Sequence, residues 1–192
     1  MLNIKIMKQI ILFILFTFTI SCQAQTYPLR TYGIEYPPNS YIKDTNNELV
    51  EYEGTWKGTW NNKTVYIYLK KIKKHFTHLA NNPYYKDILI GKFKVIDSNG
   101  LILFDNTNLL DDNAKIEGSN FRKVDNKYSL IYLEPEMCGM TGRGYINFTD
   151  TTKTKLNWKL PYGWDIITES CPYYNATVAP EPLPYEIILT KQ

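Results

Sequence analysis

The chain has 192 residues, 44% of them hydrophobic and 15% aromatic, with a formal net charge of +3. That length fits one domain, or one domain with tails, and the apolar content is ample for a core. Residues 1–21 hold Lys5 and Lys8 and no acidic residue, which leaves 20 of the 22 basic residues against 19 acidic ones; so nearly neutral a body excludes an electrostatic case for nucleic acid as a partner.

The first predicted element is a leader. Lys5 and Lys8 precede an apolar run from Ile10 to Ile20, and Ser21-Cys22-Gln23-Ala24-Gln25 follows. A charged start, a short apolar stretch and a small-residue exit make a signal peptide over 1–21. The run is shorter than the roughly 20 apolar residues that a permanent transmembrane helix needs. Two exits are open. Thr19-Ile20-Ser21-Cys22 looks like a bacterial lipobox, with Thr19 where leucine is usual, and would leave a lipid on Cys22. Cleavage after Ala24 is the alternative. Either removes Cys22 from thiol chemistry and leaves Cys138 and Cys171, which an oxidising compartment would pair; two separate buried thiols are the other outcome.

Residues 22–48, with Pro28, Pro37 and Pro38, show neither helical nor strand period and read as a tether or an extended arm, with an edge strand at Thr31–Tyr36. The compact β domain takes 49–192. Its opening stretch places Tyr52, Gly54, Trp56, Gly58 and Trp60 at every second position, so both indoles share one face of a strand. Glycine between the rings leaves room for a neighbour to close in.

Further strands follow at short spacing. Thr64–Ile72 alternates Val65, Ile67 and Leu69 with Tyr66, Tyr68 and Lys70, and Asp87–Ile96 puts Leu89, Gly91, Phe93 and Val95 on one face. Asn99-Gly100 is a hairpin signal returning through Leu101–Phe104. Asn120–Val124 and Tyr128–Leu133 form another hairpin, as do Tyr145–Thr149 and Thr154–Leu160. Residues 161–184 are irregular and Pro-rich, held at Cys171, and Tyr185–Thr190 is a last strand able to pair with the first and remove two open edges. No helical period appears in the mature chain. The fold class is all-β: a single antiparallel β-barrel, lipocalin-like, or a closely related sandwich of about 8–10 strands.

Candidate chemistry is sparse. His75 and His78 stand beside Lys70, Lys71, Lys73 and Lys74; that many ammonium groups oppose a metal cation, so the segment reads as a solvated basic turn or a contact for acidic headgroups. Met137–Gly144 is Gly-rich but lacks the Lys-Ser/Thr of a phosphate loop. Glu134 and Glu136 flank Pro135, and two carboxylates could act as acid and base on a glycoside, though Glu-Pro-Glu at a strand end is more often a solvated turn. No catalytic residue, metal or cofactor is assigned. Trp56 and Trp60 either plug the base of the barrel or, with Tyr66, Tyr68 or Trp158, line a cavity for an apolar or aromatic ligand.

Gly54-Thr55-Trp56 resembles the Gly-x-Trp signature of lipocalins, which implies a tryptophan closing the floor of an eight-stranded barrel that binds small hydrophobic molecules. Phe148-Thr149-Asp150 matches that family's Thr-Asp-x-Tyr region in part, with no tyrosine following, and no arginine lies near the last strand to cover the tryptophan. The Ser-Cys-Gln-Ala-Gln exit, Asn39–Asp44, Gly54-Thr55-Trp56 and Tyr85–Gly91 resemble an uncharacterised family of exported proteins, a domain of unknown function common in flavobacteria-like bacteria. That resemblance implies export, a β domain and lipid on Cys22, and supplies no chemistry. The expected protein is an exported β-barrel anchored to the membrane by lipid, facing the periplasm, or free there or outside after cleavage at Ala24. It would act as a non-enzymatic binding module for a small apolar or aromatic ligand. The alternatives are a solid-cored interaction protein of the envelope and a carboxylate-dependent hydrolase.

Overall fold

The computed structural model describes residues 25–77 and 82–192; the leader over 1–21, Cys22 and His78 lie outside the described residues. The tandem Gly-Thr-Trp forms strand β3 (Gly54–Trp60), preceded by a 3-10 turn at Val50–Tyr52. Short strands β1 (Thr26–Pro28) and β2 (Tyr41–Lys43) come before it. β4 (Lys63–Phe76) and β5 (Tyr84–Ile96) are long, and β6 (Ile102–Asp105) folds back on β5. Then come β7 (Ile116–Phe121), β8 (Tyr128–Glu134), β9 (Met140–Phe148), β10 (Lys155–Lys159), β11 (Tyr162–Gly163) and β12 (Glu186–Lys191).

Eight of these strands close into an antiparallel ring in the order β3-β4-β5-β7-β8-β9-β10-β12 and back to β3. The expected pairing of the last strand with the first is present, with Thr190 opposite Lys57 and Lys191 opposite Trp56. The β5–β7 seam is short, just Ile90 opposite Glu117 and Gly91 opposite Ile116. Turn chemistry sets the register elsewhere. Asn61 and Asn62 sit at φ 45° and 58°, the left-handed pair that a two-residue β3–β4 turn requires.

β3, β5, β8 and β10 run one way and their ring neighbours the other. The connections 61–62, 97–101, 106–115, 135–139 and 160–185 therefore gather at one end, the mouth. Tyr52, Phe121, Tyr128 and Phe148 gather at the other, the floor. Period-2 alternation fills the ring: Val65, Ile67, Leu89, Val95, Ile146 and Leu156 are all 0% exposed, each such side chain contributing about 1.5–3 kcal/mol by leaving water. Gly58 gives room to the closing strand; a Cβ there would lie 2.8 Å from both Ile187 Cδ1 and Leu189 Cδ2.

The expected edge strand at Thr31–Tyr36 is not formed. Gly33 turns the chain at φ 73° and the Tyr36 hydroxyl folds back on the Thr31 carbonyl at 2.6 Å. β1 and β2 form instead, parallel to each other, and β2 runs parallel to β5. This arm buries Leu29 and Ile42. Lys86 to Gly91 are all buried, where the sequence suggested one apolar face; β2 pairs beside Lys86, and β7 beside Ile90 and Gly91.

Candidate functional site

Trp56 stands over the floor and is 0% exposed; its indole N–H donates to the Tyr52 carbonyl at 2.8 Å. Tyr52 stacks on Phe148 at 4.2 Å. The cation that the sequence lacked as an arginine is Lys191 on β12, whose Nζ lies 5.3 Å from the Trp56 ring centre. Trp158 is likewise buried and donates to the Pro184 carbonyl at 3.0 Å. Trp60 packs against the core from the mouth rim, with Lys63 Nζ 5.3 Å above it. Tyr66 and Tyr68 do not join these indoles. They alternate with Val65, Ile67 and Leu69 and take the outer face of β4. Cavities of about 240 to 750 Å³ open among the described residues, and Trp56, Trp60 and Trp158 line none of these. The ring is thus plugged by its own side chains, with both buried indole donors already satisfied.

Polar groups converge at the mouth. On β8, Tyr128, Leu130 and Tyr132 face inward and are buried, and Glu134 continues that parity at 7% exposure. A buried carboxylate needs a partner. Lys115 Nζ lies 2.9 Å from Glu134 Oε1 and also contacts Glu136, while the Tyr132 hydroxyl donates to Glu134 Oε2 at 3.3 Å. Burial pushes the Glu134 carboxyl up. Hydrogen bonding with Glu134, and then with Lys115, holds Glu136 down to about 2. The two carboxylates flanking Pro135 do meet, but one ammonium holds both, so neither stands free as the acid and base that glycoside hydrolysis needs.

Beside this cluster lies a cavity of about 240 Å³ walled by Phe93, Phe104, Leu109 and Met137. Asn106 reaches into the same lining. Its Oδ1 accepts the Phe93 N–H at 2.6 Å, and its Nδ2 is buried with no partner. A stranded donor costs about 1–3 kcal/mol, which an acceptor oxygen on a ligand would recover. The Cys138–Cys171 disulfide forms, Cα to Cα 5.8 Å, and ties the β8–β9 turn to the 160–185 connection; Trp164 adds a bond to the Met137 carbonyl at 2.6 Å. One wall of the mouth is therefore cross-linked. The disulfide also fits an oxidising, extracytoplasmic location.

The basic segment is largely occupied. His75 stacks on Tyr85 at 4.3 Å, Lys70 pairs with Asp111 at 2.6 Å, Lys71 reaches Asp44 at 3.5 Å and Lys74 holds Glu117. Lys73 lies over the rings of Tyr41 and Tyr85.

Sequence reasoning missed Asn106 and Lys115. Neither stands in a motif, and both lie in the 106–115 connection, where no period reports direction. Glu134 carried a usable signal: a charged residue in step with Tyr128, Leu130 and Tyr132 marks a buried ion in want of a partner.

No curated protein and no solved structure matches this chain. With residues 7–192 matched by its family model, the chain belongs to a family of unknown function, DUF6705.

Proposed function

We propose that this protein is an exported, non-enzymatic binding module of the cell envelope that takes a small apolar or aromatic ligand at the mouth of its barrel, not over the tryptophan floor. The observation that carries the reading is Asn106, whose Nδ2 is buried with no partner among the described residues and which lines a cavity with Phe93, Phe104, Leu109 and Met137, beside Lys115 and Glu134. The matching ligand has a flat apolar body and one acceptor oxygen. Export rests on the Lys5–Ala24 leader, and lipid on Cys22 would hold the barrel at the membrane, facing the periplasm. The disulfide is consistent with that compartment.

The test uses prodan, a solvatochromic naphthyl ketone with the required carbonyl. Saturable binding with blue-shifted emission, abolished by Leu109→Trp, is expected. Equal binding by that variant would remove the mouth as the site. Native mass spectrometry of protein purified from membranes would report the lipid and any carried ligand together.

A second reading, an interaction protein of the envelope, is favoured by Ile131 and Leu133. They stand exposed on the outer face of β8, and both line cavities of about 520 and 750 Å³ on that wall. Loss of self-association or crosslinked partners in Ile131→Lys, with prodan binding intact, would favour it.

A further inference from the structure

Away from the mouth, Lys86 lies on β5 opposite Ile42 of β2, beneath the N-terminal arm, and is 7% exposed. Its Nζ bonds to the side-chain oxygen of Asn120, and no carboxylate among the described residues pairs with it. Glu117, the acid whose charge it feels, is already held by Lys74. Burial draws the ammonium down to about 8. Lysine is almost never this buried without a partner.

A cavity of about 370 Å³ opens beside it. Leu29, Ile34, Ile42 and Tyr84 give it an apolar wall, with Glu35 exposed at the rim. Asn82 lines it too. Its Nδ2 donates to the Tyr36 carbonyl at 2.8 Å, and its Oδ1 is buried with no partner among the described residues. One cavity therefore presents a buried cation lacking an anion, a buried acceptor lacking a donor, and an apolar surface.

We propose that this cavity binds a small apolar carboxylic acid bearing a hydroxyl or amino group next to its carboxylate. The carboxylate sits on Lys86, the neighbouring donor on Asn82 Oδ1, and the apolar body on Leu29, Ile34 and Ile42. A charge-assisted contact at Lys86 gives most of the affinity, since there a full charge is buried with no counter-ion among the described residues, whereas Glu35 at the rim is exposed to water. The donor selects among acids, because an acid without it leaves Asn82 Oδ1 stranded.

Calorimetric titration of the purified protein tests this with 2-hydroxy-4-methylpentanoate and leucine as donor-bearing probes. The controls are 4-methylpentanoate, which lacks the donor, and 4-methylpentanol, which lacks the charge. At least one donor-bearing acid should bind saturably, which of the two telling hydroxyl from amine. Lys86→Met should weaken it by roughly tenfold or more and Lys155→Met, at an exposed lysine, should not. No saturable binding of either acid below about 10 mM, equal binding by Lys86→Met, or equal binding of the alcohol would overturn the site. Equal binding of 4-methylpentanoate would overturn the role of Asn82.

Discussion

Replacing Lys86 with methionine removes the buried, unpaired ammonium while keeping most of the side chain's length against Leu29, Ile42 and Tyr84. Burial moves this lysine from an ordinary 10.5 to about 8 in the folded chain. Between those two pH values the unfolded chain holds more protons than the folded one, so the folded protein gains stability as pH rises through the window. Below pH 8 the full cost of keeping the charge inside is present, about 3 kcal/mol at pH 7. At pH 9.5 it has fallen to about 1 kcal/mol, and well above 10.5 it is gone. Methionine escapes this cost but gives up the bond to Asn120, worth about 1 kcal/mol at most because Asn120 is exposed and rebonds to water. Lys86→Met should therefore be more stable than wild type by about 2 kcal/mol at pH 7, a rise in Tm of roughly 4–8 °C, and nearly equal at pH 9.5. Tyrosines raised by burial, such as Tyr52 at about 12, are common to both proteins and cancel in the difference. Urea unfolding of the pair at the two pH values is the assay. A variant less stable at pH 7, or an advantage unchanged at pH 9.5, would refute the reasoning.

Lys115→Met strands the Glu134 carboxylate and should cost about 3 kcal/mol at pH 7 by urea unfolding, and less as pH falls and that carboxyl, raised by burial, protonates; Lys115→Met with Glu134→Leu should recover most of the loss. Breaking Cys138–Cys171, which closes a loop with a sequence separation of 33, should cost about 3–4 kcal/mol, read by unfolding with and without reductant. Gly144→Ala would place a Cβ 1.9 Å from the Lys159 carbonyl oxygen, whereas Gly58→Ala meets movable side-chain tips. The first should cost about 3 kcal/mol or more and the second about 1, measured by thermal unfolding.

Strand parity was legible wherever one face of the wall is wet. Val65, Ile67 and Leu69 point inward as their alternation required, and so do Leu156 and Trp158. The disulfide was readable from parity of cysteine number once Cys22 was set aside. The arm was not legible, because β1 and β2 are three residues each and are held by the edge of β5 and not by any period of their own. Tyr66 and Tyr68 alternate with Val65, Ile67 and Leu69, so parity puts them outside, and aromatic character alone does not bring them to the indoles. Asn106, Lys115 and Lys86 owe their environment to contacts across loops and strands far apart in the chain, which no local pattern records.

The meeting of β12 with β3 has a bearing on how such a chain is made. Trp56 emerges from the ribosome more than 130 residues before its cross-strand neighbour Lys191, so the cylinder cannot shut before Lys191 has been made. Until then the borders of β3 and β10 that β12 covers have no partner from it. Locking therefore waits for β12, the last of the eight ring strands to be made.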